Sequence, residues 1–190
     1  MSGAAPEATP RARWERLLAA AGAVALVGVL TGVLMAAGRV GGADAPHLEA
    51  TDLRLAELVL DGSPVLAARL WWALVAPQPP FGSLPGWGVA VLTGGRPFFA
   101  PLTMGLLLLL IYDALRRLAG GAGERPLAAL AAFACLVSSP LCWAAVEQYS
   151  RDLGVAAAVL QAVSYLTTPG RLARRRSAIG FGLWIAVAFG

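Results

Sequence analysis

Leu17–Ala37 reads LLAAAGAVALVGVLTGVLMAA, 21 residues without a charge. A bilayer's hydrocarbon core, about 30 Å thick, takes about 20 helical residues to cross. A secretory signal has a shorter apolar core of about 7–15 residues, so this stretch is expected to remain as an anchor. Arg11, Arg13 and Arg16 stand ahead of it, and cations so placed keep the start of a span on the cytoplasmic side. Residues 1–16 (MSGAAPEATPRARWER) are small, polar and proline-bearing, and are expected to form a flexible cytoplasmic tail.

The whole chain supports the same reading. Of 190 residues 58% are apolar and only 14% charged, and the mean hydropathy is +0.68. So few charges would not cover a soluble domain of this length, and lipid is the simplest apolar partner. The net charge of +4 does not point to a nucleic acid. All 15 basic residues are Arg, set in short clusters beside apolar stretches, which is a topology signal rather than a phosphate-binding face. Cys135 and Cys142 lie seven apart in one apolar stretch. That spacing along a helix does not suit a disulfide, and one His with two Cys does not complete a zinc site.

Four further apolar segments follow at about 98–115, 127–146, 153–168 and 178–190. The fold expected is all-α: a polytopic helical membrane protein of about five transmembrane helices, forming one membrane domain over residues 17–190. The loop 38–96 between the first two spans is too polar and proline-rich to cross. Leu48–Leu60 has Leu48, Leu55 and Val59 on one side and Glu49, Asp52 and Glu57 on another, and Asp61-Gly62-Ser63-Pro64 ends it. Val65–Ala76, with Trp71 and Trp72, is expected as a second juxtamembrane helix with interfacial anchors, and Phe81–Leu92 as a third short piece.

Five crossings from a cytoplasmic start put ten arginines inside: Arg11, Arg13, Arg16, Arg116, Arg117, Arg125, Arg171, Arg174, Arg175 and Arg176. Five lie outside: Arg39, Arg54, Arg69, Arg96 and Arg151. This bias supports a multi-pass protein of a cell's inner (plasma) membrane with its N-terminus cytoplasmic. The last segment, Ala178–Gly190, is about 20 Å of helix at 1.5 Å per residue, shorter than the bilayer. It is expected to be a truncated span of a longer protein, or a half-span completed by partner helices.

The same topology gathers carboxylates on the outer face from two places. Asp44, Glu49 and Asp52 lie in the first loop; Glu147 and Asp152 flank the turn after the third span. Acids beside a membrane can act as a general base on an acceptor hydroxyl, or hold a divalent metal ion against a phosphate. They can equally be solvated loop charges, with Asp152 capping the fourth helix. Asp113 is expected to pair with Arg116 and Arg117 at helical spacing.

The order of these elements resembles the N-terminal part of GT-C superfamily membrane glycosyltransferases, of the protein O-mannosyltransferase and aminoarabinose transferase kind. The resemblance rests on the first span, the acidic helix closing at Leu60-Asp61-Gly62, and the Pro-rich stretch Pro77-Gln78-Pro79-Pro80. It extends to Tyr149-Ser150-Arg151-Asp152-Leu153 before the fourth span and to the basic loop Arg171–Arg176 ahead of Gly180-Phe181-Gly182-Leu183. The Asp-Glu pair usual in the family's first loop is absent. The resemblance implies transfer of a sugar from a polyprenyl-phosphate donor on the outer face, by a protein of which this chain is an incomplete fragment, inactive alone. One of Asp44, Glu49 and Asp52 would then be the base, and Asp152 would bind a metal ion or the donor phosphate. The competing reading is a non-enzymatic membrane subunit or transporter accessory protein.

Overall fold

The computed structural model describes residues 10–37, 45–75, 84–96, 98–120, 125–167 and 175–189. Every regular element among them is an α-helix: α1 (Pro10–Ala37), α2 (Ala45–Leu60), α3 (Pro64–Val75), α4 (Leu84–Leu92), α5 (Phe99–Gly120), α6 (Pro126–Val137), α7 (Pro140–Glu147), α8 (Arg151–Leu166) and α9 (Arg175–Phe189). The all-α expectation holds. α1 begins well before the apolar run, so residues 10–16 are helical rather than tail. Pro10 suits a first helical position, where its missing N–H is not needed, and Arg11 pairs with Glu15 one turn on at 3.1 Å.

α1 and α5 are long and apolar enough to cross a membrane, and α6 with α7 makes a third crossing if the bent pair is one span. α8 and α9 are apolar but have 16 and 15 residues. At 1.5 Å per residue they reach about 24 and 22 Å, short of a core of about 30 Å. Length and composition therefore support two or three of the five expected crossings.

The break in the third segment has a clear cause. Pro140 has no N–H to donate back into α6 and its ring clashes with the preceding turn. The helix axis turns by 67° there, and Ser138 Oγ donates to the carbonyl of Cys135 at 3.0 Å. Cys135 and Cys142, expected in one apolar span, thus sit on different helices, one exposed and one buried, and both are free thiols.

Side-chain contacts fix the directions of the helices. Tyr149, just before α8, meets Phe99 at the start of α5. Gln161 meets the Leu110 carbonyl, and Arg117 meets Tyr165. α5 and α8 therefore run parallel, and α6–α7 is the return segment that connects them. Gly22 of α1 lies against Leu130 near the start of α6, whereas Gly105 near the start of α5 lies against Val27 and Thr31. α1 therefore runs antiparallel to α5. Gly180 near the start of α9 touches the ring of Tyr165 near the end of α8, so these two form a hairpin. The bundle has two ends: α2 and α4 pack at the end where α5 begins, and the Asp113 cluster lies near the other.

The core between the helices contains Val27 and Leu30 of α1, Leu107, Leu108 and Ile111 of α5, and Phe133 of α6. On α1 the buried positions Ala19, Ala23, Val27, Leu30 and Leu34 recur at intervals of three and four, as one face of a helix must. Trp14, Leu18, Val24, Val29 and Val33 on its remaining surface are exposed. A helix apolar on both its packed and its outer face fits a lipid surrounding.

Candidate functional site

Asp52 is 0% exposed, in company with Leu55 and Ala56. This corrects the expectation that it lies on the polar side of its helix. Positions 52, 55 and 56 are related by three and four residues, so they share one face, and that face of α2 packs inward. A carboxylate so enclosed needs hydrogen-bond donors to offset the loss of water. The hydroxyl of Tyr149 is one: it donates to Asp52 Oδ2 at 2.9 Å, across 97 residues of sequence. The tyrosine ring is itself buried and meets Phe99 edge-on, with centroids 6.0 Å apart.

α4 closes over this pair. A Cβ on Gly86 would collide with both the Tyr149 hydroxyl and the Asp52 carboxylate, so only glycine lets the α4 backbone approach so closely. The next residue, Trp87, has its indole nitrogen buried with no hydrogen-bond partner among the described residues. Four elements thus converge on one buried acid: α2 supplies Asp52, α4 supplies Gly86, α5 supplies Phe99, and the α7–α8 turn supplies Tyr149.

Asp152 is exposed on the first turn of α8. It is not the helix cap: that role falls to Ser150, whose Oγ accepts the Asp152 backbone N–H at 3.2 Å. The Asp152 carboxylate instead sits near the positive end of the helix dipole. Asp44 lies outside the described residues, and Glu49 is described only by its place in α2. Among the described residues no three His, Cys, Asp or Glu side chains gather as a metal site would need.

The far end of the bundle carries a second polar cluster. Asp113 pairs with Arg116 at 3.0 Å and with Arg117, at the helical spacings expected. Gln161 of α8 is 0% exposed and donates to Asp113 Oδ2 at 3.2 Å and to the Leu110 carbonyl at 2.8 Å. Arg117 donates to the Tyr165 hydroxyl at 3.0 Å and lies 5.4 Å from its ring centre. This cluster ties α5 to α8 by side chains that local spacing does not reveal.

Sequence reasoning picked out the acids and missed what holds Asp52. Tyr149 was legible as a turn residue, but its partner is fixed only by the way α2 and α8 meet. No family model matches the chain, and no curated protein or solved structure does either.

Proposed function

We propose that the chain is a multi-pass protein of a cell's inner (plasma) membrane, with its N-terminus cytoplasmic, and that the Asp52 joint is the outer-face site of a GT-C-like sugar transferase. The five crossings would be α1, α5, the α6–α7 pair, α8 and α9. The observation that carries the proposal is the 2.9 Å contact between Asp52 and Tyr149. It joins the two loops in which the sequence concentrates its outer-face acids. The arginine bias supports the orientation, since Arg116, Arg117 and Arg125 lie at the bundle end opposite Asp52.

In this reading a polyprenyl-phosphate sugar is the donor. Asp52 takes the proton of an acceptor hydroxyl, and the oxygen attacks the sugar as the donor phosphate leaves. Asp152, exposed three residues after Tyr149, would bind the donor phosphate through a divalent metal ion, which would offset the repulsion between the two anions. Asp44 and Glu49 are the other candidates for the base. For Asp52 to act, Tyr149 and Gly86 must part from it, because the carboxylate is fully covered.

That burial is also the observation that favours a second reading, a non-enzymatic membrane subunit or transporter accessory protein. A covered acid held by a phenol is what a purely structural joint requires.

The test compares membranes carrying the wild-type chain, Asp52→Asn and Asp152→Asn, supplied with polyprenyl-phosphate donors labelled in the sugar. Where the wild type passes label to an acceptor, the transferase reading expects that transfer to be lost in both variants at equal membrane insertion. Transfer undiminished in Asp52→Asn sinks the assignment of Asp52. Transfer by the wild type rejects the subunit reading.

A further inference from the structure

Three helices of this chain end in the same way. After α2, the N–H of Gly62 reaches the carbonyl of Val59 and that of Ser63 reaches Leu58. After α4, Gly94 reaches Val91 and Gly95 reaches Ala90. After α7, Tyr149 reaches Val146 and Ser150 reaches Ala145. Each is the paired closure that satisfies a helix's last carbonyls, and each needs a left-handed residue at its first position. Gly62 and Gly94 take it at φ +78° and +64°, as glycine does without steric cost. The third helix places Tyr149 there at φ +51°, the one non-glycine residue with positive φ among the described residues.

A large aromatic residue is disfavoured in that conformation, and it persists only where the surroundings compensate. Here the compensation is visible. The left-handed turn sends the ring inward beside Phe99, and its hydroxyl meets Asp52. On the opposite side, α4 has a glycine at the one point where a Cβ would displace both oxygens. The backbone of one loop and the side-chain size in another are thus both adapted to a single hydroxyl–carboxylate contact.

We infer that Tyr149 is a positioning residue for Asp52: it occupies a glycine position so that its hydroxyl fixes the orientation of that carboxylate. The use made of Asp52 rests on the transferase reading, but the positioning does not.

The experiment uses the full chain in lipid nanodiscs, labelled with carboxyl-13C aspartate. The Asp52 carboxyl vibration is assigned as the band missing from Asp52→Asn. Tyr149→Phe keeps the ring and removes the hydroxyl, and it is expected to shift that band at unchanged helix content. Where transfer is measurable, it should also lower kcat about tenfold, as loss of about 1.4 kcal/mol in the transition state would, with KM unchanged. Gly86→Ala, which keeps both residues but adds a Cβ that would push on their oxygens, is expected to shift the same band and is the variant read if Tyr149→Phe does not fold. An unmoved band in the variant that folds overturns the inference. A shifted band supports positioning even where no transfer is measured, and a shifted band with transfer undiminished rejects the transferase role of Asp52 alone.

Discussion

Two glycines two residues apart on α4, and so on roughly opposite faces of the helix, give opposite expectations. Gly86 faces the Asp52–Tyr149 contact, while a Cβ on Gly88 would meet nothing within 4 Å. Gly86→Ala should therefore destabilise the protein by about 1–3 kcal/mol through overpacking. Gly88→Ala should be neutral or stabilising by up to about 1 kcal/mol, since alanine loses less backbone entropy in a helix. Denaturant unfolding in detergent, followed by circular dichroism, measures both. Tyr149→Phe is expected to cost about 1–3 kcal/mol in the same assay, because it leaves a buried carboxylate short of a donor. Tyr149→Gly would relieve the backbone yet should cost more than Tyr149→Phe, since it also empties the space beside Phe99. A glycine variant as stable as wild type would show that the ring and hydroxyl contribute nothing there.

At the scale of elements, α5 and α8 are held in register by Gln161 and Tyr165. Gln161→Leu removes two hydrogen bonds, to the Leu110 carbonyl and to Asp113, and is expected to cost about 1–3 kcal/mol. If the α5–α8 pairing depends on that register, single cysteines placed at the ends of the two helices should cross-link less in the variant than in the parent. Equal cross-linking would show that apolar packing alone sets it. Much at this scale was legible in the sequence. Pro10, Pro64, Pro126 and Pro140 each stand at the first position of a helix, and Pro140 explains why the third segment bends. Asp113 with its two arginines was legible because the pairs are local. Gln161 was not, since a glutamine in an apolar run gives no sign of its partner until two helices are docked. Asp52 was misjudged for a related reason. Its charge argued for solvent, while its spacing from Leu55 and Ala56 placed it on the packed face, and spacing prevailed because Tyr149 supplies a donor.

At the scale of the molecule, the bundle carries a polar joint at one end and a cluster of arginines at the other, which the proposed orientation makes its outer and inner ends. The apolar outer surface of α1, with Trp14, Leu18, Val24 and Val29 exposed, fits that placement. The number of crossings is what the sequence stated more fully than helix length supports, because α8 and α9 fall short of a typical core. Local thinning of the bilayer would accommodate them at a fraction of a kcal/mol per Å of mismatch.

The central claim is that the loop following α2 and the turn carrying Asp152 share the outer face while the α5–α6 loop lies inside. It is tested by single cysteines at Ser63, Asp152 and Glu124 in a chain with Cys135 and Cys142 replaced by alanine. Intact cells are treated with a membrane-impermeant maleimide, and the same cells are labelled again after permeabilisation. The account predicts labelling at 63 and 152 from outside, and at 124 only after permeabilisation. Labels at 63 and 152 that fall on opposite sides, or labelling of 124 from outside, would contradict it.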